Sequence, residues 1–123
     1  MTCFAKFLAA RLRSFGFALE GLAYAVKTEG NARVHLVATL LVIALGFGFG
    51  VSRFEWMALI GAMGLVWLAE MLNTALEILC DFVAPERSDP IKRVKDVAAG
   101  GVMAAALAAA GIGGLVFWPY IFG

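Results

Sequence analysis

Residues 70–77 read Glu70-Met71-Leu72-Asn73-Thr74-Ala75-Leu76-Glu77, and Asp81 follows one turn later. Glu70, Asn73, Glu77 and Asp81 are spaced three, four and four residues apart. At about 100° per residue, these side chains fall within an arc of roughly 80° on one face of an α-helix. The apolar run that begins near Phe54 leads directly into this stretch. The segment therefore predicts an apolar helix that carries one polar stripe.

The composition predicts an all-α integral membrane protein. The chain has 123 residues, of which 63% are hydrophobic, and its mean hydropathy is +0.90. Soluble domains are about 45–50% apolar. Residues 1–123 are enough for one domain. The net charge of +1 gives no reason to expect a nucleic-acid partner, and the two cysteines indicate neither a disulfide framework nor a zinc site.

Four helices are predicted from the pattern of apolar and polar residues. Residues 2–27 have an apolar face of about 60° opposite a basic face, which is typical of a helix lying on a membrane surface. Transmembrane helices are predicted over 32–51, 54–81 and 96–120. The segments 52–55 and 82–95 are predicted to be the loops that join them. The many small residues of the third span predict close contact between helices.

The distribution of Lys and Arg predicts the orientation in the membrane. Five lie before the first span, one lies between the first two spans, four lie in 87–95 and none follows. The positive-inside rule then places the N-terminus and the 82–95 loop in the cytoplasm. The end of the polar stripe at Asp81 would also face the cytoplasm.

Buried carboxylates indicate a functional site, since each costs about 2.5–3.5 kcal/mol inside a membrane. Glu29 and Glu77 can hold Mg²⁺, Lys95 can pair with a phosphate, and Glu70 can accept a proton, which together suit phosphoryl transfer from a nucleotide. A stripe that only fixes helix register, or a bundle that handles protons or cations, would use the same residues. For the lone His35, a structural hydrogen bond is the favoured interpretation over metal ligation.

Three stretches carry a resemblance to a known family. They are residues 29–35, residues 70–77 with Asp81, and residues 95–100. In order and spacing they resemble the prokaryotic diacylglycerol kinases, which are small membrane lipid kinases. The resemblance implies a homotrimer in the bacterial inner membrane, with active sites shared between subunits. It also implies ATP as co-substrate, Mg²⁺ as cofactor, and phosphorylation of a lipid hydroxyl, that of undecaprenol or 1,2-diacylglycerol, at the cytoplasmic face.

The resemblance assigns roles to individual positions. Catalytic roles fall to Glu70 and Asn73. ATP-binding roles fall to Phe17, Glu29, Glu77, Glu86, Lys95 and Asp96. The Mg²⁺ ligands would be Glu29 and Glu77, and the lipid-binding residues would be Glu70, Ala99 and Arg33.

Some positions favour one branch of the family or depart from its pattern. Asn31 with His35, Trp56 and the ending 117–119 look more like the undecaprenol kinase branch. Ser88 stands where a histidine is common in the nucleotide-contacting loop, and Phe17 replaces a tyrosine found in some members. These departures keep an alternative open, a catalytically degenerate scaffold or sensor on the same fold.

Overall fold

The computed structural model describes residues 2–123, which form four α-helices. They are α1 (Cys3–Thr28), α2 (Gly30–Phe49), α3 (Arg53–Val83) and α4 (Asp89–Phe122). The described residues contain no strand. The predicted all-helical fold class is confirmed.

Helices α2, α3 and α4 are long and apolar enough to cross a membrane, with 20, 31 and 34 residues. A span needs about 20 residues. Many of their large apolar side chains face outward, as expected for a surface that meets lipid: Leu40, Leu68 and Leu107 are 59%, 59% and 66% exposed. The three predicted spans are confirmed as candidates by length and composition.

Helix α3 begins at Arg53, one residue before the predicted start at 54, and takes in part of the segment 52–55 that is predicted to join the spans. The Ser52 hydroxyl accepts a hydrogen bond from the backbone N–H of Glu55 at 3.2 Å, and Glu55 Oε1 accepts one from the N–H of Ser52 at 2.8 Å. This capping box fixes the helix start. The chain instead reverses at Gly50, whose φ of 63° requires the freedom of glycine.

Helix α4 begins at Asp89, earlier than the predicted start at 96. Ser88 is its N-cap, and the Ser88 hydroxyl accepts a hydrogen bond from the N–H of Ile91. Pro90 lies in the first turn, where its missing N–H removes no helical bond and its fixed φ suits the helix. The sequence pattern marks Pro90 as a helix restart but places the span only from 96. As a result Lys95 and Asp96 lie on a regular helix.

The apolar core lies at the end of α3 that is distant from the polar stripe. Buried Leu59 packs there with Val51, Val116 and Phe117. Helix α3 packs more extensively against α4 than against any other helix. The Tyr120 hydroxyl donates a 2.6 Å hydrogen bond to Glu55 Oε1 and ties the two helices together at this end. The opposite ends of α3 and α4 are left to carry the polar side chains.

Candidate active site

The polar stripe of α3 runs from a buried end to an exposed end. Glu70 is 1% exposed and Asn73 is 6% exposed, whereas the side chain of Asp81 is 68% exposed. Glu77 lies between them and is half-buried. A group that enters at Asp81 would therefore meet increasingly enclosed side chains on its way to Glu70.

Glu70 is a buried carboxylate whose environment is set by α2 as well as α3. His35 Nε2 lies 3.4 Å from Glu70 Oε2, an ion-pair distance if the imidazole is protonated. Glu70 Oε2 makes no hydrogen bond within the described chain. The charges of Glu29 and Glu77 also act on Glu70, so three titratable groups influence it electrostatically. Sequence reasoning did not assign His35 to the site, because a contact between two helices leaves no periodic signal in either one.

Asn73 links the buried and exposed parts of the stripe. Its Nδ2 donates a 3.3 Å hydrogen bond to Glu77 Oε1. The other amide atom, Asn73 Oδ1, is buried without a hydrogen bond, and so is Thr74 Oγ1. Buried polar atoms in native proteins nearly always have partners. These atoms therefore mark a place where a ligand or another chain is expected to complete the site.

Glu29 lies at the junction of α1 and α2 and is half-buried. Its backbone N–H donates to the carbonyl of Ala25, while its side chain makes no capping hydrogen bond. Among residues 2–123, no three His, Cys, Asp or Glu side chains lie close enough together to hold a metal ion. Mg²⁺ bound to a nucleotide needs only one or two carboxylates beside phosphate oxygens and waters. Glu29 and Glu77 are carboxylates of the required kind, and the charges of both act on Glu70.

A polar cavity of about 540 Å³ opens where α3 ends and α4 begins. Lys95 Nζ donates a 2.6 Å hydrogen bond to Asp81 Oδ1, which joins the two helices across the cavity. Lys92 and Asp96 form a second ion pair, one turn apart on α4. Glu86 also lines this cavity. The structure thus groups three of the predicted nucleotide-binding residues: Glu86, Lys95 and Asp96.

A second cavity, of about 560 Å³, lies against α1, α2 and α3 and is almost wholly apolar. Leu22 and Val26 line it from α1, and Leu36 lines it from α2. Trp67 and Thr39 also line it and are bonded to each other, since Trp67 Nε1 donates a 2.8 Å hydrogen bond to Thr39 Oγ1. Trp67 lies one turn before Glu70 on α3, so this apolar space adjoins the buried end of the stripe.

Three of the predicted site residues are not among those that line either cavity. Phe17 is 67% exposed and lies about 18 Å from Glu29 along the axis of α1. Arg33 Nη1 donates to the carbonyls of Val26 and Lys27 at 3.3 and 3.0 Å, which satisfies the C-terminal end of α1. Ala99 is exposed on α4, one turn beyond Lys95.

Residues 16–117 match the model of the prokaryotic diacylglycerol kinase family. The chain belongs to this family. The predicted recognition is therefore confirmed, and with it the predicted enzyme class, a lipid kinase. The matched region contains every candidate residue of the α3 stripe and of the polar cavity.

Individual relatives in the family carry two kinds of name. An undecaprenol kinase from Bacillus subtilis strain 168 is 35% identical over 107 residues, which cover 87% of this chain and 87% of that protein. A diacylglycerol kinase from Synechocystis is 34% identical, and the match covers 88% of this chain but only 62% of that protein. A diacylglycerol kinase from Haemophilus influenzae is 32% identical over 87% of this chain and 92% of that protein.

Proposed function

We propose that this protein transfers the γ-phosphoryl group of ATP to the hydroxyl of a membrane lipid at the cytoplasmic face. The observation that carries the proposal is the position of Glu70. A carboxylate that is 1% exposed, with an oxygen that makes no hydrogen bond in the chain, is costly inside a membrane. Accepting the proton of a lipid hydroxyl would explain why a carboxylate is present at this costly position. The scaffold alternative is not favoured, because the family is one of kinases.

Glu70 is the base in this account. It removes the proton of the lipid hydroxyl as the oxygen attacks the γ-phosphorus, and ADP leaves from the opposite side. Asn73 orients the groups around it, since its Nδ2 holds Glu77 while its Oδ1 is left for a ligand. Burial of the site excludes water, which would otherwise compete with the lipid for the phosphoryl group.

The polar cavity is the proposed nucleotide site. Lys95 would exchange its contact with Asp81 for the phosphates, and Asp96 and Glu86 would contact the rest of the nucleotide. Glu29 and Glu77 would hold Mg²⁺, which neutralises phosphate charge when it is bound. Phe17 would reach the nucleotide from another part of the assembly, because in its own chain it lies far along α1 from Glu29.

The apolar cavity is the proposed seat of the lipid chain, because it adjoins Glu70 and offers almost no polar atoms. Ala99 would leave room for the lipid on α4, and Arg33 would lie near its polar end. Undecaprenol is the favoured acceptor and 1,2-diacylglycerol the second. The motif pattern supports this order, and so does the name of the Bacillus subtilis relative. Both are apolar molecules with one hydroxyl to phosphorylate.

The proposed assembly is a homotrimer with shared sites. The small residues of α4 support it: an added Cβ at Gly100 or Gly101 would meet nothing within 4 Å, so this surface is open in one chain. Such surfaces allow close contact between membrane helices. We further propose that α1 lies on the cytoplasmic surface of the bacterial inner membrane, with the N-terminus inside, which the Lys and Arg distribution supports.

The test is transfer of labelled phosphate from ATP by the purified protein in mixed micelles, with undecaprenol and 1,2-diacylglycerol as parallel acceptors. The proposal predicts Mg²⁺-dependent labelling, with undecaprenol preferred. Preference for diacylglycerol would correct the acceptor. Labelling of neither lipid by a folded, assembled protein would contradict the kinase account for this chain.

A further inference from the structure

His35 on α2 is a polar neighbour of Glu70 that the proposed reaction does not use. His35 Nε2 lies 3.4 Å from Glu70 Oε2, the oxygen that is buried without a hydrogen bond. The His35 side chain is 15% exposed, whereas that of Glu70 is 1% exposed. His35 is therefore the more accessible member of the pair.

The pair is part of a two-rung contact between α2 and α3. Thr39 lies one turn after His35, and Trp67 lies one turn before Glu70. The second rung is the 2.8 Å hydrogen bond from Trp67 Nε1 to Thr39 Oγ1. Because the two helices are joined by a short reversal and run antiparallel, the two rungs share one register. The backbone thus holds His35 opposite Glu70.

We infer that His35 is a positioning residue for the base, and that its imidazolium fixes Glu70 through Oε2 and leaves Oε1 for the lipid hydroxyl. This inference rests on the proposed function, because it gives His35 a role only if Glu70 accepts the proton. The proton then moves from the lipid oxygen to Glu70 Oε1 while the new oxygen–phosphorus bond forms and the bond from the γ-phosphorus to ADP breaks.

The charge of the imidazolium is the physical reason for the assignment. Glu29 and Glu77, the other titratable groups whose charges act on Glu70, are acidic. His35 is the one of the three that can carry a positive charge, and a positive charge beside a carboxylate favours its ionised form. Loss of the imidazole is therefore expected to weaken Glu70 as a base.

The test compares His35→Ala and His35→Gln with the unaltered protein, in mixed micelles with the preferred lipid. We measure kcat and KM across about pH 5.5–9, which brackets the ordinary range of histidine titration. His35→Ala is expected to lower kcat by about tenfold or more, a part of what a positioned base contributes, with little change in KM for ATP. The acidic limb of the kcat profile is expected to move to higher pH.

His35→Gln separates position from charge. Its amide can still donate a hydrogen bond to Oε2, so it is expected to recover part of kcat, but the acidic limb should stay displaced because the amide carries no charge. Tyr120→Phe is the matched control, since it removes one hydrogen bond between helices about 22 Å away along α3. It is expected to keep both kcat and the profile.

The outcomes separate the two proposals. Unchanged kcat and pH profile in both His35 variants, with Glu70→Gln inactive, would overturn the role of His35 and leave the kinase account standing. Full activity of Glu70→Gln would overturn both. If His35→Ala fails to assemble, His35→Gln decides alone, since a normal profile in that variant contradicts the inference and a displaced one supports it.

Discussion

Lys95 and Asp81 join α4 to α3 through a 2.6 Å hydrogen bond between Nζ and Oδ1. The two side chains are 37% and 68% exposed, at the mouth of the polar cavity. The lysine that is proposed to bind phosphate is therefore already paired in the free protein. A nucleotide that binds there as proposed would have to compete with Asp81 for it.

Asp81→Asn is expected to lower the KM for ATP, because Lys95 no longer has to leave an anionic partner. An exposed ion pair contributes at most about 1 kcal/mol, so the change should not exceed about fivefold. Lys95→Met is expected to raise the same KM. Initial rates at varied ATP and saturating lipid measure both effects. A raised KM in Asp81→Asn would show that Asp81 itself binds the nucleotide or its metal.

Glu77→Gln is expected to raise the Mg²⁺ concentration needed for half-maximal activity, because an amide is a weaker ligand for a hard cation than a carboxylate. Glu29→Gln should do the same. Glu20→Gln is a matched control, an exposed acid on α1 outside the proposed site. Rates at varied Mg²⁺ and fixed ATP provide the measurement. Unchanged Mg²⁺ dependence in both site variants would contradict their role as ligands.

The polar stripe of α3 and the three spans could be predicted from the sequence, because both depend on the period of one helix. The start of α4 could not be placed by the same means. Pro90 stops a helix when it lies inside one and suits a helix when it lies in the first turn, and only the cap made by Ser88 distinguishes these cases. The contact of His35 with Glu70 depends on how α2 and α3 pack, which neither pattern encodes.

Arg33 shows the same limit for a single side chain. Its motif position predicts contact with lipid, and the structure adds a contact that the motif does not predict, from its guanidinium to the carbonyls at the end of α1. A helix that ends beside another helix leaves carbonyl groups without partners, and a nearby arginine can satisfy them. The need for such a partner can be recognised only when it is known that α1 ends just before Glu29 and α2 begins just after it.

Gly46 is expected to tolerate no side chain, because an added Cβ would lie 2.5 Å from Trp56 Cη2. Gly46→Ala should destabilise the protein by about 1–3 kcal/mol, the usual cost of overpacking. Gly48→Ala is the matched control, since its Cβ would meet nothing within 4 Å. Thermal unfolding of both variants in the same detergent is the measurement. Equal midpoints would contradict the close contact of Gly46 with the indole.

The proposed shared active sites predict that two impaired variants complement each other in mixed trimers, assayed at an ATP concentration well below the raised KM of Lys95→Met. Subunits carrying Glu70→Gln are unfolded, mixed in equal amounts with subunits carrying Lys95→Met, and reassembled. If each site takes these two residues from different subunits, about a quarter of the sites are intact. Sites built within one chain would give no recovery. Either variant reassembled alone serves as the control.

The central claim is that Glu70 accepts the proton of a lipid hydroxyl, and the most direct measurement is the phosphate-transfer rate of Glu70→Gln. The account predicts a loss of about 10²- to 10⁴-fold in kcat, with the assembled protein and its ATP binding retained. Glu55→Gln is the control, because it makes the same change at the other end of α3 and glutamine still suits the capping box. A Glu70→Gln protein that transfers phosphate as fast as Glu55→Gln would contradict the claim.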